Sequence, residues 1–478
     1  MTQLRILAFL TFYYVLFIAL AHAYPAPAVV TQPKVNSTQL SAFTIAFNDS
    51  HVFEIPPGIF TTYDMPLADA PFNSERFDYI PYRSDEYDSV SWALIKQILA
   101  STTKQATQQN NAIKAAKANG GYLAEDTENV IFSPFSIKLV LALLTEATGN
   151  GTRSQQQLLT ALGGATSLQN LRTFYRNTLV ALQHEQTGEY TLHLDTRFFT
   201  DTAVQPLPEY TAVLQSVYQT PVEQLEFADS TTSADKMNSW IARVTEGRLK
   251  ELVSAESVAN SVMLLVNAIY FNGKWLRKFS ETPAGAFYRT PTDQLKVNYM
   301  ELTDNFFYYH CNELKAKVIA LPYRGGKFSM FVALPNEGQH VDVLLQRMQS
   351  EQFKHIEWPT ERSKVRVVMP KFKFAHKTDL KAVLCRMGVV DIFTDDADLS
   401  GMTASAAKQL SVSNILQKSG IDVNEVGTVA YAATEVEIVN RFGADEEEFI
   451  VNRPFVFFIE EASTGTILFA GKVLNPMS

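Results

Sequence analysis

Cysteine is almost missing from this chain of 478 residues, which contains only Cys311 and Cys385. A disulfide framework is therefore excluded as the source of stability, and a large apolar core must take its place. Cys385 falls at helical spacing from Leu380, Val383 and Leu384, which favours a buried free thiol, while a bond between the two cysteines stays open. Basic residues are also in deficit, 41 against 50 acidic, for a net charge of −9. That balance gives no electrostatic footprint for nucleic acid. It argues equally against heparin, since the segment from Ser167 to Gln183 offers only Arg172 and Arg176. Catalytic signatures are missing as well: there is no G-x-S-x-G, no H-E-x-x-H and no glycine-rich phosphate loop. Neither an enzyme nor a cofactor or metal is expected.

Only one long apolar run is present, ILAFLTFYYVLFIAL at residues 6–20, preceded by Arg5 and followed by Ala21, His22 and Ala23. Fifteen residues fall short of the roughly 20 needed to cross a bilayer. A positive start, a short apolar stretch and small residues at the end form a secretory signal over residues 1–23, with cleavage expected after Ala23. The mature chain is then expected to be extracellular, soluble and without a membrane partner. In that compartment the sequons at Asn36, Asn48 and Asn150 become glycosylation sites, each having Ser or Thr two residues on.

Residues 24–88 hold eight of the twenty prolines, one glycine and eleven aromatic residues, with no sustained helical or strand period. They are expected to form a mobile N-terminal extension and not a second domain. From Ser89 to Ser478 the pattern becomes globular. SVSWALIKQILA (89–100), IKLVLALLTEAT (137–148), LPEYTAVLQSVYQ (207–219) and ADKMNSWIARVTEGRLKEL (234–252) carry helical spacing. SVMLLVNAIYF (261–271), KVIALPY (317–323), KFSMFVALP (327–335), KVRVVMPKFKF (364–374) and PFVFFIE (454–460) predict strands. Long strands separated by groups of helices indicate an α+β body with large, mainly antiparallel sheets.

Between Gly427 and Arg441 runs GTVAYAATEVEIVNR. In an extended chain Thr428, Ala430, Ala432, Thr434, Val436 and Ile438 share one face, opposite Val429, Tyr431, Ala433, Glu435, Glu437 and Val439. The first face is small enough to be buried in a sheet but too small to hold a core by itself, so the segment suits a strand that is added to a sheet. Its only basic residue is Arg441; Lys418 lies upstream, and Arg453 is followed by Pro454, a bond that trypsin-like proteases cleave poorly. Arg441 is thus the one obvious trypsin-type cleavage site, with Phe442 after the scissile bond.

Five segments together resemble the serpin family: NVIFSPFSIKLVLALLTEATGNGT with Ser133, Pro134 and Ser136; LLVNAIYFNGKW with Asn267, Phe271, Gly273 and Trp275; LKAVLCRMGVVDIFTDDADLSGMT; LSVSNILQKSGIDVNEVGTVA; and VNRPFVFFIEEASTGTILFAGKVLNP. They occur in family order across residues 89–478. The resemblance implies the metastable serpin fold, with a large central sheet, two further sheets, about nine helices and an exposed reactive-centre loop near residues 425–449. It implies a hinge at Glu425, Gly427, Thr428, Ala430, Ala432 and Thr434, and a reactive centre sixteen residues after Glu425, which falls on Arg441. It also implies a sheet-opening cluster of Ser133, Ser136, Asn267 and Gln417, the last standing where many serpins have histidine, and places Trp275 where the loop enters the sheet. Trp275 and Phe455 are equally read as core packing.

The function so implied is suicide inhibition of a trypsin-like serine protease. The protease forms an acyl ester at Arg441, and the freed segment, about 46 Å long at ~3.3 Å per residue, inserts into the central sheet before water can act. Val429 and Tyr431 depart from the usual glutamate and alanine, but on the outward face. The long extension resembles arthropod haemolymph serpins that restrain melanisation or clotting cascades. The expectation is a monomeric secreted inhibitor whose partner is a protease; a non-inhibitory binding or carrier serpin is the alternative.

Overall fold

The architecture is that of a computed structural model. It describes residues 29–31, 43–47, 51–55 and 85–99, then residues 128–477 apart from 165–166, 184–188, 260, 349–361, 404–409, 428–446 and 463. The signal segment, and most of the extension expected to be mobile, lie outside these residues.

The chain divides into two compact units, Met1–Asn73 and Ser74–Ser478. In the first, β1 (Val29–Thr31), β2 (Phe43–Phe47) and β3 (His51–Ile55) form an antiparallel three-stranded sheet in that order. The sequence there carries no sustained strand period. Each strand is three to five residues long, too short for alternation to stand out.

The second unit opens with α1 (Asp85–Leu99), whose Trp92 meets Phe458 edge-on at 5.5 Å. β4 (Val130–Phe132) leads into α2 (Pro134–Ala147), every residue of which is buried. Ser133 caps α2 by accepting from the Ser136 N–H, and Pro134 supplies a first turn that needs no donor. α3 (Arg153–Ala161) and α4 (Leu168–Gln183) follow, then β5 (Tyr190–Asp201), α5 (Pro208–Val217), β6 (Val222–Leu225), α6 (Ser230–Val244), α7 (Ala255–Ala259) and β7 (Met263–Gly273). β8 (Ser280–Glu281), β9 (Gly285–Thr290), β10 (Asp293–Val297), β11 (Tyr299–Phe306) and β12 (Tyr308–Cys311) come next. β13 (Ala316–Pro322), β14 (Phe328–Pro335), α8 (Val341–Arg347), β15 (Ser363–Pro370), β16 (Phe372–Asp379), α9 (Lys381–Arg386) and β17 (Asn414–Val423) continue the chain. β18 (Glu447–Ile450), β19 (Phe455–Glu461) and β20 (Thr466–Val473) end it.

Two readings of the sequence are corrected here. The helix expected over residues 234–252 stops at Val244, because Glu246 and Gly247 take positive φ (50° and 76°) and the Thr245 hydroxyl turns back to the Ile241 carbonyl. The strand expected over residues 364–374 breaks at Lys371, whose N–H goes to the Asn298 carbonyl, so that β15 and β16 join different sheets.

Three larger sheets and the two-stranded antiparallel β9–β10 pair make up the body. β12-β13-β14-β19-β20-β4 is buried through its middle strands, and β18-β15-β11-β8 forms a smaller one. The central sheet runs β16-β17-β7-β5-β6. Its longest pairing is antiparallel, β5 against β7 from Tyr190↔Gly273 to Thr200↔Met263, yet β17 lies parallel to β7 from Asn414↔Leu264 to Gly420↔Tyr270. β7 is apolar on both faces. Met263, Leu265, Ile269 and Phe271 join the main core, whereas Leu264, Val266 and Ala268 join a second cluster with Met237, Trp240 and Ile241 of α6. Cys311 and Cys385 are both free thiols, and Cys385 is half-buried, not buried as its spacing suggested.

Candidate functional site

The parallel seam between β7 and β17 is closed from the core side by one polar network. Gln417 on β17 donates Nε2 to Asn267 Oδ1 on β7 and to the Ser133 carbonyl, each at 3.2 Å, and its Oε1 accepts the Ser133 N–H at 2.8 Å. Asn267 passes the chain on by donating to Thr196 Oγ1 on β5 at 2.9 Å. Gln417 and Asn267 are each 1 % exposed, so separating the strands would strand buried amides. Three of the four sequence-derived residues, Ser133, Asn267 and Gln417, are thus joined directly. Ser136 enters only through its N–H to Ser133 Oγ at 3.1 Å, its own hydroxyl having no hydrogen-bond partner among the described residues.

The outer face of the same seam is strapped. After α6 the chain crosses β17 and β16, where Lys418 Nζ donates to the Lys250 carbonyl and to that of Glu251 at 3.0 Å, and Lys377 Nζ to that of Leu252 at 2.9 Å. Burial pushes the Lys418 ammonium below its ordinary range. Gly420 lets the strap lie close, because a Cβ there would stand 2.8 Å from Leu249 Cδ2. The sequence reading missed this strap, having extended the helix through it.

At the top of the seam the chain reverses over Asn424–Gly427. Gly427 has φ of +141°, and a Cβ would lie 2.1 Å from the Gly273 carbonyl oxygen. No other residue fits that conformation in that space. The reversal is held by the segment after β7: Trp275 N–H to Val426 O at 3.0 Å, Phe279 N–H to Glu425 O at 2.9 Å, and the Trp275 indole N–H to Asn424 O at 2.8 Å. Trp275, 2 % exposed, stacks on Tyr323 at 4.5 Å and 10°. It is therefore packed in the core and bonded to the Asn424–Gly427 reversal at once, whereas Phe455, fully buried against Phe372, is core alone. Glu425 is buried and pairs with Lys371 Nζ at 2.6 Å. Lys371, Asn424, Phe279 and Thr196 escaped the sequence reading; only the Pro370-Lys371 break in the 364–374 run could have pointed to one of them.

Thr428, Ala430, Ala432, Thr434, Arg441 and Phe442 lie outside the described residues, as do Asn36 and Asn48. Asn150 sits exposed in the turn between α2 and α3. Arg172 is committed internally: it forks onto Glu146 at 2.8 and 2.6 Å, and the Tyr218 hydroxyl donates to the same carboxylate at 2.8 Å.

The sequence model of the family described as Serpin (serine protease inhibitor) matches residues 114–476. Serine protease inhibitor 2 of Anopheles gambiae is 36% identical over 358 residues, covering 73% of this chain and 87% of that protein. The leukocyte elastase inhibitor of Bos taurus is 34% identical over 358 residues, 73% of this chain and 93% of its own. The crystal structure of Serpin48 from the insect Tenebrio molitor superposes with a TM-score of 0.67 at 29% identity, covering 82% of this chain and 99% of that one. The motifs, the family match, the relatives and the central sheet agree: the chain belongs to the serpin family of serine protease inhibitors and is not an enzyme.

Proposed function

We propose that the protein is a secreted suicide-substrate inhibitor of trypsin-like serine proteases, attacked at Arg441. The observation that carries this reading is the parallel β7–β17 seam with a glycine reversal at its upper end. A chain that leaves β17 and turns back at Gly427 runs antiparallel to β17. Because β7 is parallel to β17, it is antiparallel to β7 as well. Insertion of the segment after Gly427 would therefore replace one parallel ladder by two antiparallel ones, and antiparallel pairing is the stronger per residue. The closed sheet withholds that gain until cleavage frees one end of the loop.

Thr428, Ala430, Ala432 and Thr434 are the small residues that would face inward during entry, and Gln417, Asn267, Ser133 and Ser136 form the lock that must part. Arg441 meets the requirement of a protease pocket with a buried carboxylate, for which its planar fork is suited. The signal over residues 1–23 and the sequons support an extracellular site of action, in a proteolytic cascade of the melanisation or clotting type. The protein acts as a monomer.

Incubation with trypsin is expected to give an adduct that survives boiling in detergent, with release of the segment beyond Arg441. Arg441→Ala should abolish that adduct. A cleaved product with neither adduct nor gain in thermal stability would make the protein a carrier serpin instead.

A further inference from the structure

The reversal over Asn424–Gly427 carries a register. Gly427 is bridged antiparallel to Asn424 on one side, by hydrogen bonds of 2.9 and 3.2 Å, and to Lys274 on the other. In an antiparallel pair each step along one strand is matched by a step back along its partner. Four steps on from Gly427 reach Tyr431, four back from Asn424 reach Gly420, and four back from Lys274 reach Tyr270. Seven steps reach Thr434, Gln417 and Asn267 in the same way. The closed sheet already pairs Gly420 with Tyr270 and Gln417 with Asn267. The two bridges therefore set one register, and a strand continuing from Gly427 would part both pairs evenly.

Opposed residues share a face of a sheet, and Gly420 lies on the outer face, under the strap. With Ala375, its partner on β16, it leaves a shallow recess there. Leu249 of the strap fills that recess: a Cβ on Gly420 would stand 2.8 Å from Leu249 Cδ2 and 3.6 Å from Ala375 Cβ. On the opposite flank Tyr270 stacks on His193 at 6.3 Å and is capped by the Arg248 guanidinium at 5.7 Å. Its buried hydroxyl has no hydrogen-bond partner among the described residues.

We propose that the recess at Gly420 and Ala375 is the seat of the Tyr431 ring, and that Leu249 has to leave it before the loop can enter beyond Ala430. An aromatic ring laid over a cross-strand glycine covers backbone that no side chain of its own protects, so the inserted strand gains at this point what the strap gives up. The strap is then a brake on insertion, and the size of the residue at 431 decides how far it must be pushed. The tyrosine that departs from the usual alanine is matched by a glycine on the strand that it meets. The timing so set rests on the loop-insertion reading above.

The test compares the parent with Tyr431→Ala, Leu249→Ala and the double variant. At saturating trypsin each single variant is expected to raise the limiting rate of adduct formation about tenfold, the size expected when one leucine no longer has to leave a buried seat. The double variant should be no faster than the quicker single one, because both changes remove the same competition. Tyr431→Ala alters no residue of the recess or the strap, so its result stands even if Leu249→Ala folds poorly. The Leu249 N–H donates to the Thr245 hydroxyl at 3.1 Å. Its hydrogen exchange should quicken when the loop of the parent is cleaved and stay slow when that of Tyr431→Ala is cleaved. Cleavage of the parent with no gain in thermal stability overturns loop insertion itself, and the seat with it. A gain in stability with unchanged exchange at Leu249, or rate effects that multiply in the double variant, overturns the seat alone.

Discussion

Lys371 Nζ lies 2.6 Å from Glu425 Oε1, joining the break between β15 and β16 to the reversal over Asn424–Gly427. The glutamate is buried and the lysine is 29 % exposed along its side chain, so the pair is only partly screened by water. Removing the lysine leaves a buried carboxylate without its cation. Lys371→Met is expected to lower stability by about 1–3 kcal/mol, measured as a fall in melting temperature. In the Lys371→Met background, Glu425→Gln should cost nothing further, since no charge then remains to be paired; an additive loss would show that the two side chains act independently.

Gln417 both accepts from the Ser133 N–H and donates to Asn267. Neutral histidine can do the same with its two ring nitrogens, but imidazolium has no lone pair for the Ser133 N–H. The native state of Gln417→His should therefore bind fewer protons than the unfolded state. Its stability relative to the parent should fall as pH drops below about 6.5. Melting curves of both proteins between pH 5 and pH 8, run at one scan rate, would check this, and a difference that does not change with pH would mean that the residue at 417 does not accept from the Ser133 N–H.

Much of this was legible in the residues, and the remainder was hidden for definable reasons. The apolar run of β7 announces itself because burial is a local demand on side-chain type, whereas the helix read from Ile137 begins at Pro134, with Ser133 as its cap. Ser133, Asn267 and Gln417 were placed together only through family resemblance; no spacing rule links residues 284 positions apart as Ser133 and Gln417 are. The strap was invisible because Leu249 and Leu252 continue the helical spacing of Trp240 and Ile241, and what ends the helix is backbone φ at Glu246 and Gly247. Lys371 was hidden because β15 and β16 read as one strand, and the partner that gives the lysine its role is distant in sequence. Cys385 followed its period, yet α9 is only six residues long and leaves the thiol half-buried.

Gly427→Ala should be costly whatever the fate of the loop. It places a Cβ against the Gly273 carbonyl and asks an L-residue to hold φ of +141°. A loss of about 1–3 kcal/mol is expected from the backbone alone. The turn over Asn424–Gly427 should then open, which limited proteolysis and exchange at the Trp275 amide would report. Unchanged exchange would mean that the reversal is not fixed by this glycine.

Asp195, half-buried on β5, has its carboxyl pushed above its ordinary range by burial, against the opposing pull of His193 and Arg197. A carboxyl whose folded value is raised holds more protons in the native than in the unfolded chain, so its favourable contribution is full below pH 3.8 and is lost as pH rises through the folded value. Asp195→Asn should raise the melting temperature at pH 7 and give no gain below pH 3.8. An equal gain at both would trace the effect to packing, not charge.

The break at Lys371 has a consequence for the span of the reactive loop. β18, which follows that loop, pairs with β15 from Val365↔Glu447 to Val368↔Ile450, and β17, which precedes it, pairs with β16 from Phe372↔Val423 to Asp379↔Leu416. β15 and β16 are one uninterrupted run of chain, so both ends of the loop are moored to a single stave, like a string on a bow. Residues 363–379 thereby hold both moorings. On the proposed function, substitutions between them would retune which protease takes hold while both moorings stay where residues 363–379 put them.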